Sequence, residues 1–297
     1  MTPQALYFAR VNVTSVNKLK NLQQVKATIY YDQEGTNPAP VGGGNTQTQA
    51  ILTWDVTLDS WSIDPAAGPG TTWVLVTGSC THPELTANPN QTNGNWNFYF
   101  RPGKVATEAP SVAHVNAEWD AQGLAQNKQL TWSTATYLAA DKGMYWYGEI
   151  TVAGTVDWSN VDLGLVFATE PPNPKPDAGV SNNYIANGDY YEDIASEDWD
   201  DGALETVTLR EDWSDNDNPP DVAGQFALKA DDDATLAGAV TVKKATTEYV
   251  HINNTGAQTG EPGVDVTTNS LWLSLSETGI LPGTYEGSIW YQVAERP

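Results

Sequence analysis

Cationic side chains are scarce in this sequence. Its 297 residues carry 14 Lys and Arg against 37 Asp and Glu, a formal net charge of −23. Binding nucleic-acid phosphates needs clustered Lys and Arg, so this balance argues against a nucleic-acid partner. Histidine is scarcer still. His82, His114 and His251 are spread too widely to suggest a triad or a histidine-based metal cluster. The single cysteine, Cys80, rules out an internal disulfide. With His82 two residues on it supplies two ligands, short of a zinc site, and a small buried thiol beside a loop histidine is expected. No run of 18 apolar residues occurs, so no transmembrane helix is expected. Met1–Lys20 has no basic start followed by an apolar block, so no secretory signal is expected either. Helical periodicity is nearly absent, its best trace being a short turn around Ala135–Lys142. There is no Gly-x-Ser-x-Gly elbow, no His-Glu-x-x-His and no phosphate loop. No nucleophile, base and oxyanion donor can be assigned together, and the chain is expected not to be an enzyme.

What the sequence does have is aromatic strand material. Twelve Trp and thirteen Tyr stand against five Phe, and 40% of the residues are hydrophobic, enough for packed cores. Asn, Thr, Gly and Pro punctuate the chain every 8–12 residues, the rhythm of sandwiches and barrels. Tyr7–Val13 alternates, and Val25, Ala27, Ile29 and Tyr31 face one way. In the clearest strand Ala50, Leu52, Trp54, Val56 and Leu58 take the core side, opposite Thr53, Asp55, Thr57 and Asp59. Trp73–Thr77, Asn95–Arg101, Val112–Trp119, Leu130–Trp132 and Gly143–Val152 complete a first set. Trp158–Phe167, Asn182–Ala186, Leu204–Arg210, Gln225–Ala230, Ala239–Lys243, Glu248–Ile252, Leu271–Leu275 and a closing strand through Ile289–Val293 form a second. Between them, Glu170–Pro176 is a stiff proline-rich loop or linker that cannot lie inside a sheet. The reading is all-β: two β-sandwich modules in tandem, immunoglobulin-like or jelly-roll, spanning 1–155 and 156–297.

The charge is divided unevenly between them. Residues 1–150 hold 11 acids and 8 bases, net −3, while residues 151–297 hold 26 acids and 6 bases, net −20. Sixteen of those acids lie between Asp189 and Asp233, facing only Arg210 and Lys229. Such a segment is expected to be solvated, ion-bound or turned toward a cationic partner rather than core. Within it Asp212, Asp215, Asp217 and Asp221, with Asn218, offer closely spaced oxygens of the kind Ca²⁺ takes, so this loop is the candidate metal site. It is not an EF-hand, because Pro219 and Pro220 stand where that loop needs its Gly. The other reading is a solvated acidic loop, and no other cofactor is implied. Trp146 with Tyr145 and Tyr147, or Trp290 with Tyr291, could stack on a sugar ring if exposed; as core they would only fill space.

Two stretches echo each other. Gly143-Met144-Tyr145-Trp146-Tyr147-Gly148-Glu149-Ile150 and Gly283-Thr284-Tyr285-Glu286-Gly287-Ser288-Ile289 share Gly-x-Tyr followed by Gly-x-Ile, each after a Trp-containing strand. Leu271–Ser276 followed by Leu281-Pro282-Gly283-Thr284-Tyr285-Glu286-Gly287-Ser288-Ile289 resembles the final strands of immunoglobulin-like modules in prokaryotic and phage surface and virion proteins. The resemblance covers about 25 residues, and the first copy departs from it in lacking the Pro. It implies a sandwich used for display, adhesion or assembly, and it carries no catalytic residue across. The expectation is a non-enzymatic structural subunit of a virion or an extracellular or cell-surface assembly, with self-assembly or other structural proteins as partners. The runner-up is a carbohydrate-binding or adhesin module, whose partner is a glycan.

Overall fold

Period-two rows of large side chains are where the fold starts. Trp96, Phe98 and Phe100 are buried while Asn95, Asn97 and Tyr99 turn outward, as a half-buried strand requires. In the computed structural model such rows assemble an all-β chain, with no α-helix among the described residues. Described are residues 1–36, 39–40, 42–66, 72–168, 180–260 and 264–296, with backbone only at 139–141, 153 and 253–255. The Glu170–Pro176 loop lies outside them.

The first eight strands are β1 (Tyr7–Thr14), β2 (Leu22–Asp32), β3 (Gln49–Asp55), β4 (Ser60–Asp64), β5 (Val74–Leu75), β6 (Asn93–Arg101), β7 (Glu118–Asn127) and β8 (Thr136–Lys142). They form a three-stranded sheet, β1-β6-β5, and a five-stranded sheet, β4-β3-β2-β7-β8. One core joins the two sheets: Val13, Trp96, Phe98 and Phe100 from the first meet Val25, Ala27, Ile29, Leu52, Trp54 and Trp119 from the second.

The remaining strands are β9 (Gly148–Ala153), β10 (Val180–Ala186), β11 (Tyr190–Ser196), β12 (Trp199–Asp200), β13 (Thr206–Leu209), β14 (Gln225–Asp231), β15 (Val240–Thr241), β16 (Val250–Gly256), β17 (Asp265–Leu275) and β18 (Ile289–Glu295). One sheet runs β12-β13-β14-β17-β10-β9 with β15 beside β14, and the other runs β16-β11-β18. Phe226, Leu228, Leu271, Leu273 and Leu275 of the larger sheet pack against Ile194 and Ile252 of the smaller.

Several expectations change. β9 pairs with β10 along its length, so the strands divide between Lys142 and Gly148, not at 155. Met144 still belongs to the first core, so the Gly143–Val152 stretch crosses from one half to the other. Its echo through Ile289 feeds β18, in the sheet facing β9, and Val293 packs beside Gly148 and Ile150. The two echoes therefore meet in one half instead of closing one half each. Thr136–Lys142 is strand rather than a helical turn, and Val112–Ala117 is turn rather than strand. Trp158–Phe167 forms turns, yet Trp158, Val161 and Leu165 pack onto the second core. The acidic segment does enter the interior: Glu192, Asp193 and Asp231 are buried. Leu58, expected on the core side, is exposed in the turn after β3, because the strand ends at Asp55. Asp55 Oδ1 there accepts the backbone N–H groups of Thr57 and Leu58 at 2.8 and 3.0 Å.

Trp54 and Leu58 therefore part company. Trp54 packs at a tilt against Trp96 and His82, with ring centroids 5.8 and 4.6 Å away. Trp54→Ala should cost about 3–5 kcal/mol in urea denaturation. Leu58→Ala should stay within about 0.5 kcal/mol of the parent. Similar losses at both positions would contradict the placement of the strand end.

Candidate functional site

The loops that follow β6 and β10 bring the two halves together. Asn187 is fully buried at this junction. Its side-chain amide donates to the carbonyls of Ala106 and Tyr145 at 2.9 and 3.0 Å, and its Oδ1 accepts the N–H of Tyr147 at 2.6 Å. Its backbone carbonyl takes the N–H of Glu108 at 3.0 Å. Gln258 donates to Val105 O at 2.7 Å, and Gln47 returns a bond to Thr259 O at 3.0 Å. Lys104 pairs with Glu149 at 2.8 Å, and the Tyr147 hydroxyl donates to the same carboxylate at 2.6 Å. Burial works to raise the Glu149 pKa, but these donors outweigh it and hold the carboxyl below its ordinary value.

Beside this junction opens a cleft of about 850 Å³, lined from both halves by residues that include Tyr31, Glu108, His114, Asp189 and Glu295. Glu108 and Glu295 stand within hydrogen-bonding reach of each other. Gly188 makes room for Glu108: a Cβ there would come within 2.5 Å of Glu108 Oε2. Arg296 pairs with the neighbouring Asp189 at 2.5 Å, and Gln33 holds the His114 ring at 3.0 Å.

The residues singled out in the sequence lie elsewhere. Arg210 pairs with Asp212 and lies 3.8 Å from Asp221. Asp215 accepts the N–H groups of Asp217 and Asn218 and the Asn218 amide, closing a turn. Lys229 reaches in to Ser214 O and Asn216 Oδ1. The loop thus has two cations of its own. The three-carboxylate group that the structure does gather, among the described residues, is Asp32, Glu118 and Asp120, on β2 and β7. Nothing local in the sequence marks it, because β-pairing across a long stretch of chain creates it. Cys80 turns toward Val76 O and Tyr99 N, and burial raises its thiol pKa. His82 lies 3.3 Å from Asp59 instead. Of the aromatic candidates, Tyr145 is exposed, while Trp146 bonds Asp189 O at 3.1 Å and Trp290, Tyr147 and Tyr291 are half-buried.

Burial, then the Glu295 carboxyl, then the charge of Asp189 push the Glu108 pKa from 4.5 up to about 7. A raised folded-state value means that the stability it contributes is full below about 4.5 and lost as the pH climbs through about 7. Thermal melts should show Glu108→Gln more stable than the parent at about pH 8 and level with it at about pH 4. A parent melt that does not weaken across this window relative to Glu108→Gln would contradict the raised Glu108 pKa.

Compared with known proteins, the chain matches no protein-family model, and no curated protein matches it in sequence.

Proposed function

We propose that this chain is a non-enzymatic structural subunit of a virion or extracellular surface assembly, docking through its first half. The observation that carries the reading is the β8 edge of the five-stranded sheet. β8 pairs with β7 on one side only among the described residues, leaving backbone N–H and C=O groups on the other. Leu138 on that strand is 62% exposed, and Leu130 in the preceding turn is 68% exposed, with Trp132 and Tyr137 also open to solvent. An unpaired edge with apolar side chains is a surface to which another strand adds readily. Charge favours the same half, since net −3 permits close approach of copies where net −20 opposes it. The resemblance of Leu271–Ile289 to immunoglobulin-like modules of phage and surface proteins supports the same class. No helix of the described residues is long and apolar enough to cross a membrane.

Light scattering with negative-stain imaging tests this. The purified chain should form particles well above monomer mass, and Leu138→Lys should reduce them to monomers while leaving the melting temperature within a few degrees. A chain that stays monomeric at high concentration and instead binds on a glycan array would replace this reading with the carbohydrate-binding one.

A further inference from the structure

The pairing of β2 with β7 sets Tyr30 opposite Asp120 and Asp32 opposite Glu118. Alternation puts these four side chains on one face of the sheet, away from Ile29, Tyr31 and Trp119, which belong to the core. An outward face should be wet, yet Tyr30 is 3% exposed, Asp32 2% and Asp120 1%. One carboxylate oxygen from each of Asp32, Glu118 and Asp120 lies within 4.8 Å of the others. Asp32 Oδ1 also accepts the N–H groups of Glu34 and Gly35 at 3.0 Å, which fixes its orientation at the strand end.

A second observation is independent of the acids. The Tyr30 hydroxyl is buried and has no hydrogen-bond partner. It shares the face with its cross-strand neighbour Asp120. A buried polar atom in a native interior is expected to be satisfied, by protein, water or an ion.

We propose that Asp32, Glu118, Asp120 and the Tyr30 hydroxyl form a Ca²⁺ site that clamps β2 to β7. The donors are all oxygen, the preference of hard cations, with no imidazole or thiolate among them. Oxygens bound to one Ca²⁺ at about 2.3–2.6 Å are at most about 5 Å apart, which the cluster satisfies. A cage made of protein oxygens suits Ca²⁺ better than Mg²⁺, which keeps several waters and uses one or two carboxylates.

The test is a series of melts on the intact chain, chelator-treated and then given CaCl2, MgCl2 or NaCl at matched ionic strength. CaCl2 should raise the melting temperature in proportion to the logarithm of its concentration above Kd, while MgCl2 does little more than NaCl. Asp120→Asn should abolish the gain, whereas Asp215→Asn with Asp217→Asn should keep it. Tyr30→Phe should be no less stable than the parent without calcium, because it deletes an unpaired hydroxyl, yet should weaken calcium binding on the order of tenfold. Should Asp120→Asn fail to fold, Tb³⁺ luminescence excited through the protein's aromatics reads the parent and Tyr30→Phe directly, with CaCl2 as competitor. No calcium-specific gain and no competed Tb³⁺ signal would overturn the site. A gain lost in the Asp215/Asp217 variant would overturn it too, in favour of the acidic loop.

Discussion

One buried amide couples the two pairs of sheets. Asn187 stands at the turn between β10 and β11, and its side chain satisfies backbone groups of Ala106, Tyr145 and Tyr147. Those partners come from the loop after β6 and from the crossover between β8 and β9. A buried Asn that finds partners for both its donor and its acceptor rigidifies what it touches, whereas removing it strands several backbone groups at once. The junction around it carries Gln47, Gln258, Lys104 and Glu149, and it positions Glu108 over Gly188 at the cleft. The apolar cores lie within the halves, and the join between them is polar.

The excess of acids is compatible with this because many act as local acceptors. Asp55, Asp201 and Asp215 close turns by taking backbone N–H groups. Hydrogen bonds from Ala203 and Glu205 lead the causes that hold the Asp201 pKa below its ordinary value. Asp198 meets Lys244 at 2.8 Å. Deeper in, Glu192 sits between the two sheets of the second half, accepting the amides of Asn182 and Asn269 and the Thr267 hydroxyl. Its charge, after burial itself, raises the pKa of Tyr184 and Tyr291. A carboxylate in such a place is tolerable only because donors surround it.

What could be read from the sequence followed side-chain size. β3 and β6 were legible because Leu52, Trp54, Trp96 and Phe98 make a row that no other arrangement buries as well. β7 was not, because its inner row runs Trp119, Ala121, Gly123, Ala125. Gly123 lies where Val11 approaches, 3.3 Å from where a Cβ would stand, and small residues give no pattern. β11 was hidden by composition: Glu192 and Asp193 read as surface, and only the distant Asn182, Asn269, His251 and Gln292 make them interior. The candidate sites were hidden for the same reason. Acids close in sequence, such as Asp212–Asp221, were visible; in the structure Arg210 lies beside Asp212 and Asp221, and Asp215 closes a turn. Asp32 with Glu118, and Glu108 with Glu295, meet only through the pairing of distant segments.

Differential scanning calorimetry of the intact chain and of Asn187→Ala tests most directly whether a polar lock makes the halves one cooperative unit. The parent should melt in a single transition whose calorimetric and van't Hoff enthalpies agree. Asn187→Ala should separate it into two transitions, one for each pair of sheets. Two transitions already present in the parent, unmoved by the substitution, would contradict the account.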